Sequence, residues 1–197
     1  MPRLFTALEI PRDAAMSLSL LRGGLPGARW IDVENYHITL HFIGDVDPLA
    51  ADEVVHALDR VDRAPFTLSL SSLGCFGSKR PHSIWAGVAP SPELMALQGE
   101  IGRICQRIGL APDPRKFVPH VTLARLRNPR LADVVQYLGS RGDFRTMPFT
   151  VGRFVVMSSR DSVGGGPYLV EDAYPLVDRT VQARFRNSAE HPWSSIR

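Results

Sequence analysis

Two short segments of the chain carry the same residue types in the same order: His37-Ile38-Thr39-Leu40 and His120-Val121-Thr122-Leu123. Side chains alternate along an extended strand, so in each segment the imidazole and the hydroxyl share one face and the two aliphatic residues the other. The aliphatic face anchors the strand in a core. The polar face then offers one imidazole and one hydroxyl at a fixed separation. If the two strands lie side by side about a two-fold axis, two imidazoles and two hydroxyls converge. That set suits phosphodiester chemistry. A neutral imidazole takes a proton from water, a protonated one delivers a proton to the leaving oxygen, and the hydroxyls hold non-bridging oxygens whose charge builds in the transition state. Histidine fits because its ordinary pKa of about 6.5 makes both forms accessible near neutrality. Either motif alone reads as a core or edge histidine beside a good strand former. The repetition in matched settings is what points to catalysis. A metal site is not expected: His37, His41 and His120 have no carboxylate or cysteine to complete a usual ligand set, and threonines fit poorly as ligands.

Beyond the motifs, the sequence resembles the two-histidine phosphoesterases, and within them the LigT-like RNA 2′,3′-cyclic phosphodiesterases of the 2′-5′ RNA ligase family. Five stretches carry the likeness: residues 3–11 (RLFTALEIP), 35–44 (NYHITLHFIG), 117–125 (FVPHVTLAR), and the shorter IWAG at 84–87 and GPY at 166–168. Together they span about residues 3 to 176. The resemblance implies a bilobal fold with a central cleft and a metal-independent, cofactor-free hydrolysis of RNA 2′,3′-cyclic phosphate ends to 2′-phosphomonoesters. RNA carrying such an end, tRNA fragments included, is the implied partner. Carried over by position, His37 is the acid protonating the departing 3′ oxygen and His120 the base activating water, although a near-symmetric site leaves the two exchangeable. Thr39, Thr122 and Arg125 are the implied phosphate ligands. Reversible 2′-5′ RNA ligation, action on a small cyclic nucleotide, and a non-catalytic RNA-binding module on the same fold are the alternatives.

Strict alternation raises a difficulty with Arg125, which it places on the face opposite His120 unless the strand bulges near Ala124. The first motif has Phe42 at the equivalent position, so the site is not fully symmetric. His41, by the same counting, falls on the face of His37 and is a candidate neighbour of it. Phe5, Tyr36, Phe42, Phe76, Trp85 and Phe117 are candidates to stack on a base. Lys79-Arg80 and Arg115-Lys116 are basic pairs that could grip flanking phosphates.

The elements that must position these residues follow from periodicity. Strands are expected at residues 3–10, 29–33, 37–43, 66–73, 84–89, 117–124, 149–158 and 168–176. Helices are expected at 11–21, 47–62, 92–108 and 131–138, two of them opening on proline at an early position where its missing N–H costs nothing. Glycines 164–166 read as a turn joining the last two strands, and about 178–197 as a loose tail. Interleaved strands and helices with hairpin-like pairs predict an α+β (mixed α/β) fold. We expect one bilobal domain over 1–197: two pseudo-twofold-related, mostly antiparallel sheets with outer helices and a central cleft.

Composition sets the remaining bounds. The 197 residues are 44% hydrophobic and 22% charged, with net charge +3, which is ordinary for a globular protein and mildly compatible with a polyanionic partner. Lys79 and Lys116 are the only lysines; the remaining positive charge is arginine, whose planar fork suits phosphate. Cys75 and Cys105 show no metal-ligand spacing and read as reduced thiols, Cys105 on the apolar face marked by Ile101, Ile104 and Ile108. No apolar run is long enough to span a bilayer, and the opening lacks the long apolar segment of a signal peptide. A cytoplasmic monomer without membrane association is the expectation.

Overall fold

A computed structural model describes residues 3–111, 114–159 and 167–177. The chain runs β1 (Arg3–Glu9), α1 (Arg12–Ser19), β2 (Ala28–Trp30), β3 (His37–Asp45), α2 (Pro48–Leu58), β4 (Phe66–Leu68), β5 (Leu70–Phe76) and β6 (Ser83–Val88). It continues through α3 (Pro92–Arg107), β7 (His120–Leu126), α4 (Leu131–Gly139), β8 (Phe149–Val151), β9 (Arg153–Ser159) and β10 (Tyr168–Pro175). The expected α+β class is observed. Eight strands form one antiparallel sheet in the order β10-β9-β1-β3-β7-β6-β5, with β2 also paired to β7, and β4 and β8 form a separate two-stranded sheet.

The large sheet is two half-sheets meeting at a seam. Three strands of the first half, β9, β1 and β3, are answered by β5, β6 and β7 in the second, and β3 meets β7 through a single antiparallel pair, Ile38 opposite Val121. Both residues are fully buried on the face that the helices cover. That face carries the main core, including Leu8, Leu58, Leu70, Ile84, Leu97 and Leu123. Each buried aliphatic side chain of this kind contributes about 1.5–3 kcal/mol.

The helices are cut to fit that face. Helix α3 buries Leu94, Leu97, Ile101, Ile104 and Cys105 at helical spacing. Its first turn is fixed by the Ser91 hydroxyl, which accepts the Leu94 N–H at 3.2 Å, and by Pro92. Asp47 caps α2 in the same way, accepting from Ala50 N at 2.9 Å. Both cysteines are free thiols, and burial pushes that of Cys105 up to about 11. No described helix is long and apolar enough to cross a membrane.

Four expected strands differ from the observed ones, the one expected at 29–33 being only β2, which ends at Trp30. Residues 66–73 are two strands, parted at Ser69 because β4 leaves to pair β8 while β5 pairs β6. Residues 149–158 are likewise parted at Gly152, since β8 pairs β4 while β9 pairs β1. The expected strand at 117–124 begins only at His120, after Pro119, which has no N–H to donate. The turn at 164–166 and the tail at 178–197 lie outside the described residues.

Candidate functional site

The seam sets the site. Carrying the Ile38–Val121 register one step either way places His37 opposite Thr122 and Thr39 opposite His120. All four side chains lie on the face away from the helices, so the two-fold expected from the motifs is the local symmetry of this strand pair.

Both strands then bulge at the same motif position. In β3, Thr6 pairs His41 and Ala7 pairs Thr39, which leaves Leu40 as an extra residue. In β7, Ile84 pairs Ala124 and Trp85 pairs Thr122, which leaves Leu123 extra. A bulge of one residue reverses the facing of everything after it. Arg125 therefore lies opposite Ser83, on the face of His120, and the alternation difficulty is removed. Phe42 is turned onto the same face and is 43% exposed.

The first bulge also corrects the reading of His41. It does not share the face of His37: it is buried at 5% exposure on the helix side, where its Nδ1 lies 4.0 Å from the position of a Cβ at Gly102 of α3. The physical reason is the extra Leu40, which alternation cannot anticipate.

Each catalytic candidate is anchored in the same way. His37 Nδ1 lies 2.8 Å from the Asn35 carbonyl and His120 Nδ1 2.6 Å from the Val118 carbonyl. A carbonyl only accepts, so Nδ1–H donates in both rings, and Nε2 is left as the atom that can take or give a proton. Aromatic rings hold each imidazole from the side. His37 has Phe5 at 5.1 Å and Tyr168 at 4.9 Å between ring centroids, the latter edge-on. His120 has Phe76 at 4.9 Å, edge-on, and Trp85 at 6.1 Å. Asn35 also acts through its side chain, whose oxygen accepts the Tyr168 backbone N–H at 3.1 Å.

The electrostatics favour neutral rings in the unliganded protein. Burial lowers the His37 pKa from 6.5 to about 4, with smaller lowering from His120 and Arg125 and a partly opposing effect of the Asn35 hydrogen bond. His120 is lowered as well, first by burial and then by Arg125, against the Val118 hydrogen bond. One guanidinium thus lies near enough to both imidazoles to add to the lowering that burial causes. Arg29 of β2 lies directly across from Arg125 on the same face. Sequence reading misses it: the alternation marks a strand but gives no sign of its partner.

Other candidates fall away from this centre or support it. Phe5 is 3% exposed beneath His37, and Tyr36 is in the core, so neither can stack on a base. Phe42 instead carries the Arg115 guanidinium over its ring at 5.0 Å. Phe76, Trp85 and Phe117 are half-buried, and Lys79 and Arg80 are exposed in the loop after β5. Among the described residues no three His, Cys, Asp or Glu side chains are grouped as metal ligands would be.

Residues 24–162 match the sequence profile of the 2′-5′ RNA ligase superfamily. Similar proteins include an RNA 2′,3′-cyclic phosphodiesterase of Aeropyrum pernix, 36% identical over 68% of this chain and 77% of its own length. One of the same name from Thermotoga maritima is 31% identical over 85% and 92%. A third, from Geobacillus stearothermophilus, is 36% identical over 61% of this chain, but the match spans only 41% of that protein. Among solved structures, Escherichia coli LigT complexed with 3′-AMP superposes with a TM-score of 0.71 over 89% of this chain and 98% of its own, at 24% identity. A similar overlap, with a TM-score of 0.72 at 21% identity over 88% of this chain and 97% of its own, is found with a protein of Thermus thermophilus.

Proposed function

The chain belongs to the 2′-5′ RNA ligase superfamily, and from that premise we propose that it hydrolyses RNA 2′,3′-cyclic phosphate ends to 2′-phosphomonoesters, without a metal, by acid–base catalysis at His37 and His120. The observation that carries this reading is the paired motif at the seam: two imidazoles, each with Nδ1–H tied to a carbonyl and Nε2 available, facing two threonine hydroxyls and Arg125. The names of the similar proteins from Aeropyrum and Thermotoga support the substrate class.

In the proposed reaction the cyclic phosphate lies between the two rings. His120 Nε2 takes a proton from water as the water oxygen bonds to phosphorus. The P–O3′ bond breaks, and His37 Nε2–H gives its proton to the departing O3′. The product carries a 2′-phosphate and a free 3′-hydroxyl, and the two imidazoles exchange protons with solvent to reset. Thr39, Thr122 and Arg125 hold the non-bridging oxygens, where hydrogen bonds to charge are strongest. His37 is too deeply desolvated to be protonated at neutral pH on its own. The substrate's negative charge offsets that burial, so the acid forms on binding. Because both rings are lowered, exchange of the two roles is the variant to test alongside. Ligation is the same attack on the cyclic phosphate, with an RNA 5′-hydroxyl in place of water as the nucleophile and a 2′-5′ diester as the product, and the superfamily's description keeps it as the second reading.

The test is to incubate EDTA-treated protein with an oligoribonucleotide ending in a 2′,3′-cyclic phosphate and to resolve the 2′- and 3′-monophosphates. A 2′-phosphate product that survives chelation and disappears in both His37→Ala and His120→Ala supports the proposal. Activity that is lost to chelation and restored by a divalent ion, or that persists in either variant, defeats it.

A further inference from the structure

Past the Ile38–Val121 seam the two halves of the site are closed differently. Beside the second half of β7, the short strand β2 fills the gap, with Ala28, Arg29 and Trp30 opposite Leu126, Arg125 and Ala124. Beside the second half of β3 no described strand takes the corresponding place. The segment leading into His120 stands off instead. A cavity of about 720 Å³ opens there, running from Thr39 and His120 to the flank of α3. Arg115 and Lys116 line one wall and Arg103 the other, and no Asp or Glu is among its described lining residues. Its floor includes Gly102, where an added Cβ would meet nothing nearer than His41 at 4.0 Å. Packing therefore does not demand glycine there, although a glycine inside a helix costs stability relative to alanine.

We infer that this cavity receives the nucleotide on the 5′ side of the reacting RNA end, with the connecting phosphate held by Arg103 and the Arg115-Lys116 pair. The inference rests on the phosphodiesterase reading, which fixes the cyclic phosphate at the seam. Two flanks of the seam border that point. One is occupied by β2; the other is a basic cavity larger than a cyclic phosphate needs. The protein then reads an RNA end as at least a dinucleotide, and the open β7-side edge of β3 is what distinguishes an RNA strand from a lone cyclic nucleotide.

The experiment compares kcat/KM for uridine 2′,3′-cyclic monophosphate and for diuridylate ending in a 2′,3′-cyclic phosphate. Wild-type protein is expected to prefer the dinucleotide. Arg103→Ala should lower its use of the dinucleotide roughly tenfold, the scale of one charge-assisted contact, and leave the mononucleotide unchanged. Its plot of log kcat/KM against log salt for the dinucleotide should be shallower by about 0.7, one phosphate contact on a single strand. Gly102→Leu, which keeps a good helix former, should obstruct the cavity and remove the preference. Equal losses on both substrates would mean that the cavity holds the terminal nucleoside, and would overturn the inference, as would no loss on either. If Gly102→Leu does not fold, the Arg103→Ala salt slope decides, and an unchanged slope overturns it. Wild-type protein inert on both substrates sinks the phosphodiesterase reading and this inference with it.

Discussion

Replacing His37 by asparagine should make the fold less sensitive to acid. The asparagine amide N–H can occupy the place of Nδ1–H and keep the 2.8 Å bond to the Asn35 carbonyl. What it removes is a buried group whose pKa is lowered from 6.5 to about 4 on folding. Below pH 6.5 the unfolded chain binds a proton at His37 that the folded protein refuses, so stability falls as pH drops and the loss saturates near pH 4. At about 1.4 kcal/mol per pH unit, that gap amounts to roughly 3 kcal/mol. For a chain of this size each kcal/mol moves Tm by about 2–4 °C, so wild type should lose roughly 6–12 °C more than the variant across the window. His120 is also lowered and adds a loss of the same sign to both proteins. The difference between the two curves therefore isolates His37. The assay is Tm by circular dichroism between pH 7 and pH 4. Parallel curves would refute the argument that burial at the seam keeps His37 neutral.

Three more perturbations test the neighbouring geometry. Arg125→Ala removes a cation that adds to the burial-driven lowering of both imidazoles, so both should titrate somewhat nearer 6.5 by NMR and inorganic phosphate should bind more weakly; unmoved titrations would place the guanidinium elsewhere. Gly74→Ala puts a methyl into the Trp85 ring, which should cost about 1–3 kcal/mol and alter tryptophan fluorescence. An unchanged Tm would show that the ring does not lie over Gly74. Asn35→Ala removes the acceptor of the Tyr168 N–H but not the carbonyl that orients His37. It should cost about 0.5–1.5 kcal/mol and speed hydrogen exchange at Tyr168, and unchanged exchange would count against the clamp.

The motifs make much of this site legible because their period matches the structure's. His37, Thr39, His120 and Thr122 alternate with buried Ile38 and Val121, and burial on one face is enough to read which residues face out. The reading stops at Leu40 and Leu123. No glycine or proline marks either bulge, since the extra residue is an ordinary leucine going into the core. Alternation misplaces His41 for that reason, and it places Arg125 only conditionally. Pairing is the other limit. Residues 66–73 read as one alternating run, yet 66–68 and the strand from Leu70 serve different sheets, a choice made by the distant Phe149 and Trp85 strands. The position of Arg29 across from Arg125 is likewise a fact about tertiary register, and local sequence holds no trace of it.

The paired bulges have a consequence for regiochemistry. A 2′,3′-cyclic phosphate presents two ester oxygens to whatever cradles it, and a strictly palindromic cradle would release either one. Up to the bulges the cradle is close to palindromic: histidine, threonine and carbonyl anchor are matched across the seam. Immediately after them, the two residues turned back onto the working face are an aromatic ring at Phe42 and a guanidinium at Arg125. Neither contributes to the core, so the two positions can differ without disturbing the fold. The same kink that completes the symmetric frame thus supplies its handedness, and in the proposed reaction that handedness is what would select the bond to break.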